Sequence, residues 1–250
     1  VESKDSVNIT QVANALTNKM HYVKHDGSLR YGFEIVTRPF TWEWFKNNQD
    51  ELTRTLLFLR QKGFSSHGTQ TCGMHVHMSK DAFSNFQLYR FLRLFYSYPK
   101  FTQWFSRRQK DQLDHWASTN SIQGCGDARR QSRSMSNRAK YKEYDNKYEA
   151  VNLRPKNTVE VRIFRGTLNE NSVFRNVEFC RAAYMFVKSP TSTRHITPTE
   201  FTKYVAAERK EYPNLYHQLL HSGSRQDSEI DFTQVPKPKP SKKKPLTIGK

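Results

Sequence analysis

The stretch GMHVHMS at residues 73–79 alternates apolar and polar residues, and this alternation decides the first part of the predicted fold. Successive side chains of a β-strand point to opposite faces, so the three apolar side chains share one face. The other face carries His75, His77 and Ser79. We therefore predict a strand that packs one face against the core and presents two imidazoles and a hydroxyl on the other.

Two further segments show the same division into an apolar and a titratable face. In TVEVRI at residues 158–163, Glu160 and Arg162 lie opposite the apolar side chains, and Glu34 lies opposite its apolar neighbours in residues 33–37. Wide helical stripes elsewhere in the chain would cover the apolar face. We predict an α+β fold, with an antiparallel sheet that has helices on one face and the titratable groups on the other. A polar face that is simply solvated is the alternative.

The composition of the 250-residue chain indicates a folded and strongly basic protein. Aromatic residues make up 13% of it, a share that a disordered chain would lack. Its 41 Lys and Arg residues exceed the 23 Asp and Glu residues by 18, which gives a net charge of +18. A charge of this sign and size attracts polyanions such as nucleic acid or nucleotide phosphates. The three cysteines are far apart and lack zinc-finger spacing, so we predict a reducing, cytoplasmic compartment. No apolar run is long enough to cross a bilayer, and no membrane partner is predicted.

The pattern along the chain predicts one domain over residues 1–223, with a basic insertion at 107–149. We expect that insertion to be a long functional loop or a partly ordered segment. The Lys- and Pro-rich residues 224–250 are expected to form an extended, solvated tail. Helical apolar spacing is found at residues 9–16, 42–59, 88–95, 101–105, 173–187, 198–205 and 213–222.

The chemistry of the titratable face is open to several interpretations. A His-x-His pair on one strand face can bind zinc with a third ligand, bind phosphate, or consist of two histidines with ordinary hydrogen bonds. Two carboxylates with one imidazole suit magnesium or manganese better than zinc. Glu34, Glu160 and His75 therefore favour a hard cation bridged by phosphate.

Several segments resemble a known family. CGMHVHMS at residues 72–79 is similar to the Gly-x-His-x-His-x-Ser element of glutamine synthetase. VNLRP at 151–155, followed by TVEVR at 158–162, resembles its Arg-rich segment and its Glu-x-Arg strand. The wider pattern, over about residues 1–190, resembles the amidoligase family of the glutamine synthetase and glutamate–cysteine ligase superfamily. It also includes DGS at 26–28, GFEIVTRP at 32–39 and EVRIFRGT at 160–167.

The resemblance implies a fold, an activity and a set of roles. The fold is a curved antiparallel half-barrel with helices on its outer face, and the activity joins a small-molecule or peptide carboxylate to an amine, using ATP and Mg²⁺ or Mn²⁺, through an acyl phosphate. Asp26 and Ser28 are candidates for substrate binding, with an ordinary turn as the alternative. The implied roles are metal ligation by Glu2, Glu34, His75 and Glu160, nucleotide contact by His77 and Ser79, and stabilisation of phosphoryl charge by Arg154, Arg162 and Arg165. Simple alternation, however, places Phe164 rather than Arg165 on the face of Glu160.

One departure from the family pattern supports the first of two rival hypotheses. The family opens with Glu-x-Glu, whereas here only Glu2 stands at that place, so we expect either a start lost upstream or an incomplete site. A non-catalytic protein that binds nucleic acid or another acidic partner through residues 129–147 and 236–250, or assembles in a particle, is the first rival. A His-x-His metallohydrolase is the second. Family members occur in bacteria, fungi and phages, so a phage protein in the host cytoplasm is compatible with the pattern, as is an oligomer with shared sites.

Overall fold

A computed structural model describes residues 1–3, 9–16, 20–27, 29, 31–190, 195–221 and 228–236. Predictions that fall on Ser28 and on residues 237–250 lie outside these ranges. The strands are β1 (Glu2–Ser3), β2 (His21–Lys24), β3 (Glu34–Thr37), β4 (Phe64–Ser65), β5 (Gly73–Ser79), β6 (Val151–Asn152) and β7 (Thr158–Arg165). The helices are α1 (Ile9–Leu16), α2 (Trp42–Asn47), α3 (Gln49–Gln61), α4 (Asn85–Tyr96), α5 (Pro99–Ser106), α6 (Lys110–Trp116), α7 (Asn120–Gln123), α8 (Ala128–Tyr141), α9 (Glu170–Lys188), α10 (Pro198–Ala207) and α11 (Pro213–His221).

The described strands form three small antiparallel sheets, with orders β1-β4, β2-β3 and β5-β7-β6. This mixture of helices and antiparallel strands agrees with the predicted α+β class. The half-barrel that the family resemblance implied is not confirmed, because the strands of the described ranges do not join into one curved sheet or a closed barrel.

The apolar face of the three-stranded sheet forms one side of the main core. Val159, Val161 and Ile163 of β7 are fully buried there, as the alternation predicted. Aromatic rings from the covering helices fill the space above them, and the rings of Phe105 in α5 and Phe179 in α9 stack with centroids 4.1 Å apart. Burial of each such ring contributes about 1.5–3 kcal/mol, so this layer fixes the sheet in place.

A second, smaller core holds the N-terminal elements together. Val12 and Leu16 of α1 pack with Leu59 of α3 and with Phe33 and Phe64 beside the two-stranded sheets. The rings of Phe33 and Phe64 lie 5.0 Å apart. This cluster positions β1 and β3, which carry two of the predicted metal ligands.

Residues 107–149 are helical rather than a long loop, which corrects the prediction. Three helices, α6, α7 and α8, occupy most of the segment. Asp127 caps α8 by accepting a hydrogen bond from the backbone N–H of Arg130. Arg138 of α8 forms a buried ion pair with Glu149, at 3.1 Å, and Glu149 also accepts a hydrogen bond from the Tyr96 hydroxyl. These contacts hold the segment on α4.

The described part of the tail also packs against the main core, which corrects the expectation of a wholly solvated segment from residue 224 onward. Ile230 and Val235 are buried, and the carboxylate of Glu229 accepts a hydrogen bond from the backbone N–H of Phe101. Within the described ranges no helix combines the length and the apolar character that spanning a lipid bilayer requires.

Candidate functional site

The candidate site lies on the polar face of the β5-β7-β6 sheet. The register pairs His77 with Glu160 and Glu160 with Asn152, and directly paired residues of antiparallel strands share a face. His75 lies two residues before His77 on the same face of β5. The predicted convergence of imidazoles and a carboxylate from separate strands is therefore present for these residues.

A β-bulge next to His75 changes which side chains of β7 reach this face. Val76 pairs with Val161 and Met74 pairs with Phe164, so two residues of β7 lie opposite His75 alone. A bulge of this kind reverses the alternation beyond it. Phe164 is consequently buried with the apolar set, and Arg165, which pairs with Gly73, lies on the polar face. Simple alternation predicted the reverse, and that prediction was wrong.

Glu160 is the centre of the hydrogen-bond network. One carboxylate oxygen accepts a hydrogen bond from Arg162 Nη1 at 2.6 Å and one from His75 Nδ1 at 3.1 Å, and the other accepts one from Asn152 Nδ2 at 2.5 Å. Burial alone raises the pKa of Glu160, but the contacts with His75, Arg162 and Asn152 outweigh it and lower the pKa to about 2. The side chain, only 6% exposed, is therefore ionised at neutral pH.

His75 is held in its neutral form. Burial lowers its pKa below the ordinary value of 6.5 despite the hydrogen bond to Glu160, and the charges of Arg162 and Arg108 act in the same direction. His75 Nδ1 lies 3.1 Å from the Glu160 carboxylate and 3.5 Å from Arg162 Nη1, and the shorter contact assigns the ring proton to Nδ1, with the lone pair on Nε2. His77 is more exposed, and its Nδ1 lies 2.9 Å from Thr158 Oγ1.

Arg108 is a member of the site that the sequence did not indicate. Its Nε and Nη2 donate hydrogen bonds to the backbone carbonyl of Phe164, at 3.2 and 3.1 Å, and the residue is 6% exposed. A Cβ built on Gly73 would lie 2.1 Å from Arg108 Nη2 and 3.2 Å from His75 Nε2, so glycine leaves the space that both groups occupy. Burial, followed by the charge of Arg162, lowers the pKa of Arg108 to about 10.

The charges of this face favour an anion. Arg108, Arg162 and Arg165 carry three positive charges, and Glu160 carries one negative charge. The two buried guanidiniums are close enough for the charge of Arg162 to shift the pKa of Arg108. A phosphate that accepts hydrogen bonds from them would relieve this repulsion, and charge-assisted hydrogen bonds are among the stronger ones in proteins.

Other predicted site residues lie in different parts of the fold. Glu2 in β1 accepts a hydrogen bond from Thr71 Oγ1 at 2.8 Å, and Glu34 is exposed on β3, opposite Lys24. The backbone carbonyl of Asp26 accepts a hydrogen bond from the N–H of Leu29 within a turn.

Two residues predicted to act on the nucleotide or its phosphates are exposed. Ser79 lies at the exposed end of β5. The Arg154 side chain is 60% exposed, with Nε 3.8 Å from an oxygen of Asp145. The roles assigned to these residues remain predictions.

The donors for a divalent cation are only partly assembled. With its proton on Nδ1, His75 directs one ring N–H at a carboxylate, as metal-ligating histidines do. However, the oxygen of Glu160 that faces His75 already accepts a hydrogen bond from Arg162, and Arg108 adds a positive charge beside His75. Among the residues that the structure describes, no three His, Cys, Asp or Glu side chains form a group that could hold a metal ion. The face therefore suits a cation that arrives bound to phosphates better than a bare ion.

Comparison with known proteins gives one match. The sequence model of the family described as "putative amidoligase enzyme" matches residues 10–184 of the 250. No curated protein and no solved structure matches the chain. The matched region contains strands β2 to β7 and the network of Glu160, His75, Arg162 and Arg108, and it covers well over half of the chain. The chain therefore belongs to this amidoligase family.

Proposed function

We propose that this protein is an ATP-dependent carboxylate–amine ligase that uses Mg²⁺ or Mn²⁺ and forms an acyl-phosphate intermediate. Membership of the family indicates a ligase-like function in general. The observation that carries the finer proposal is the excess of positive charge on the sheet face, where Arg162 pairs with an ionised Glu160 and Arg108 adds a second guanidinium beside His75. Such a face is suited to the phosphates of ATP.

In the proposed reaction, an oxygen of the substrate carboxylate attacks the γ-phosphorus of ATP and ADP leaves. The amine nitrogen then attacks the carbonyl carbon of the acyl phosphate, the C–O bond to phosphate breaks, and the nitrogen loses a proton. Both steps spread negative charge over phosphoryl oxygens, which fixed guanidiniums stabilise without reorganisation. We assign this role to Arg162 and Arg165, two of the three arginines for which the family resemblance implied it, and to Arg108; the third, Arg154, is exposed.

The remaining residues would position these groups and the nucleotide. Glu160 holds Arg162 at 2.6 Å and fixes the His75 tautomer, and His77 would contact the nucleotide at the exposed edge of the network. A bound divalent cation would neutralise phosphate charge. The family pattern implies Glu2, Glu34, His75 and Glu160 as its ligands, and of these four His75 and Glu160 lie together on the sheet face. We also retain a cytoplasmic location as a proposal.

The test is nucleotide binding and turnover by the full chain. Calorimetry should detect binding of ATP with Mg²⁺ at millimolar concentration, and ADP should be released only when a suitable acid and amine are both present. His75→Ala and Glu160→Gln should abolish ADP release, whereas His221→Ala and Glu43→Gln, which change exposed residues on α11 and α2, should retain it. A folded protein that binds no ATP under these conditions would contradict the proposal and favour a non-catalytic role.

A further inference from the structure

A groove with a volume of about 700 Å³ lies between α4 and α8, outside the candidate ligase site. Its size is within the range of sites that bind a small molecule or a short stretch of polymer. Its lining contains no acidic side chain. The lining residues are Asn85, Phe86 and Tyr89 of α4 and Arg129, Ser132, Arg133, Ser136, Asn137 and Lys140 of α8.

Three cations line one side of this groove. Arg129, Arg133 and Lys140 are separated by four and seven residues, which places them on one face of α8 along about 16 Å of the helix axis. All three are exposed, and within the described ranges none of them forms an ion pair with a carboxylate. The neighbouring Arg130, by contrast, is 3.7 Å from Asp127 and does not line the groove.

The groove also presents an exposed aromatic ring. Phe86 is 57% exposed at the first turn of α4, and the guanidinium of Arg90 lies 5.6 Å from its ring centroid. Phe86 is not part of the buried core, to which α4 contributes other side chains such as Phe91 and Phe95.

The walls of the groove are held in place by specific contacts. The hydroxyl of Tyr89 is 2.7 Å from Ser132 Oγ, and Lys142, at the end of α8, donates hydrogen bonds to the backbone carbonyls of Lys80 and Phe83. Met135 of α8 is buried in the main core. The cations and the aromatic ring are therefore presented on fixed helices.

We infer that this groove binds single-stranded nucleic acid. The cations would neutralise successive phosphates, and Phe86 would stack on a base, which is the combination that binds single strands without reading their sequence. A duplex suits this arrangement less well, because its bases are already stacked and would not use the exposed ring. An acidic polypeptide would use the cations but would gain nothing specific from the exposed ring.

The test measures binding of a fluorescent 12-nucleotide oligo(dT) to the full chain by anisotropy, between 50 and 200 mM salt. The groove variant Arg129→Gln/Arg133→Gln/Lys140→Gln removes three charges from the lining. The control variant Arg130→Gln/Lys110→Gln/Lys156→Gln removes three exposed charges outside it. Circular dichroism and thermal melting would establish that both variants fold.

Three phosphate contacts on a single strand contribute about −2 to the slope of log affinity against log salt concentration. This slope corresponds to a roughly 20-fold loss of affinity over the salt range of the assay. We expect the groove variant to lose that part of the slope and the control variant to keep it. Any binding by the Lys- and Pro-rich tail is common to both variants and cancels in the comparison. Equal losses in the two variants would overturn the proposal in favour of a general effect of the +18 charge, and no binding by the wild type at 50 mM salt would overturn it as well.

The stacking contact is tested separately with Phe86→Leu, which keeps an apolar side chain and removes the ring. Its affinity for oligo(dT) should fall at least about fivefold, with little change for an abasic strand of the same length. If Phe86→Leu binds both strands as the wild type does, and a poly-glutamate peptide competes as well as oligo(dT), the groove is a site for acidic polypeptides and the inference is wrong.

Discussion

Replacement of Gly73 by alanine should displace the guanidinium of Arg108 from the sheet face. The new Cβ would lie 2.1 Å from Arg108 Nη2, whereas non-bonded heavy atoms are ordinarily about 3.5 Å apart, so the guanidinium must retreat by more than 1 Å. It would then lose at least one of its hydrogen bonds to the carbonyl of Phe164. The strand itself can remain in place, because the atom that moves is the far end of a long side chain.

The expected cost follows from that lost contact. A hydrogen bond to a charged group contributes about 1.5–3 kcal/mol, and alanine is favoured over glycine within a strand by about 0.5–1 kcal/mol. The free energy of unfolding of Gly73→Ala should therefore fall by about 1–2 kcal/mol. If Arg108 binds phosphate, the affinity for ATP should fall about 10- to 100-fold, because one charged contact is lost there as well.

The assay is a double-mutant cycle with Arg108→Ala, measured by urea unfolding and by ATP calorimetry. In the Arg108→Ala background the side chain that clashes is absent, so Gly73→Ala should cost almost nothing further in either measurement. Gly27→Ala is the matched control, since a Cβ there would meet nothing within 4 Å. Equal costs of Gly73→Ala in both backgrounds would refute the reasoning that links glycine to the position of Arg108.

Three further predictions concern buried charges. Arg162→Ala should lower the free energy of unfolding at pH 7 by about 3–5 kcal/mol in urea titrations, because Glu160 would stay buried without its cation. The low pKa of Glu160 stabilises the folded wild type above pH 4.5, and this stabilisation is lost as the pH falls toward 2. In Arg162→Ala this pH-dependent part of the stability should be smaller. Glu149→Gln should cost about 3 kcal/mol in the same assay by leaving Arg138 buried without a carboxylate, and a cost below 1 kcal/mol would contradict the role of this pair in holding α8. Burial raises the pKa of Glu178 to about 7, so its contribution to the free energy of unfolding is fully present below pH 4.5. That contribution is lost, by up to about 3 kcal/mol, as the pH rises through 7. Glu178→Gln should remove this pH dependence and be more stable than the wild type in thermal melts at pH 8.

The strands of the site could be predicted because alternation is a local property. β5 begins and ends at the predicted residues, and Val159, Val161 and Ile163 of β7, which form the predicted apolar face, are all buried. The contact between His75 and Glu160 follows from two such strands pairing in register. The bulge opposite His75 could not be predicted, because a change of register depends on the partner strand and leaves no mark in the alternation of either segment.

Arg108 and the helices that follow it were missed for different reasons. Arg108 lies in a run of basic residues, and nothing in that run distinguishes the guanidinium that turns inward to the carbonyl of Phe164. α8 has few apolar residues in its sequence, and its buried side chains include Met135 and the charged Arg138. Its position depends on Glu149, whose partners come from distant parts of the chain, so helical periodicity alone was too weak to predict it.

The positive charges of this protein therefore lie in three separate environments, which the net charge cannot distinguish. Helical phase turns Arg138 toward Glu149 inside the protein, while Arg129 and Arg133 of the same helix face the groove. Arg108, a short distance earlier in the chain, lies at the sheet face. Since these arginines have different partners, their effects should separate experimentally: loss of Arg138 should lower stability alone, loss of Arg133 should lower only the affinity for single strands, and loss of Arg108 should lower both stability and the affinity for ATP. A protein that owed its binding only to its total charge would respond to all three alike.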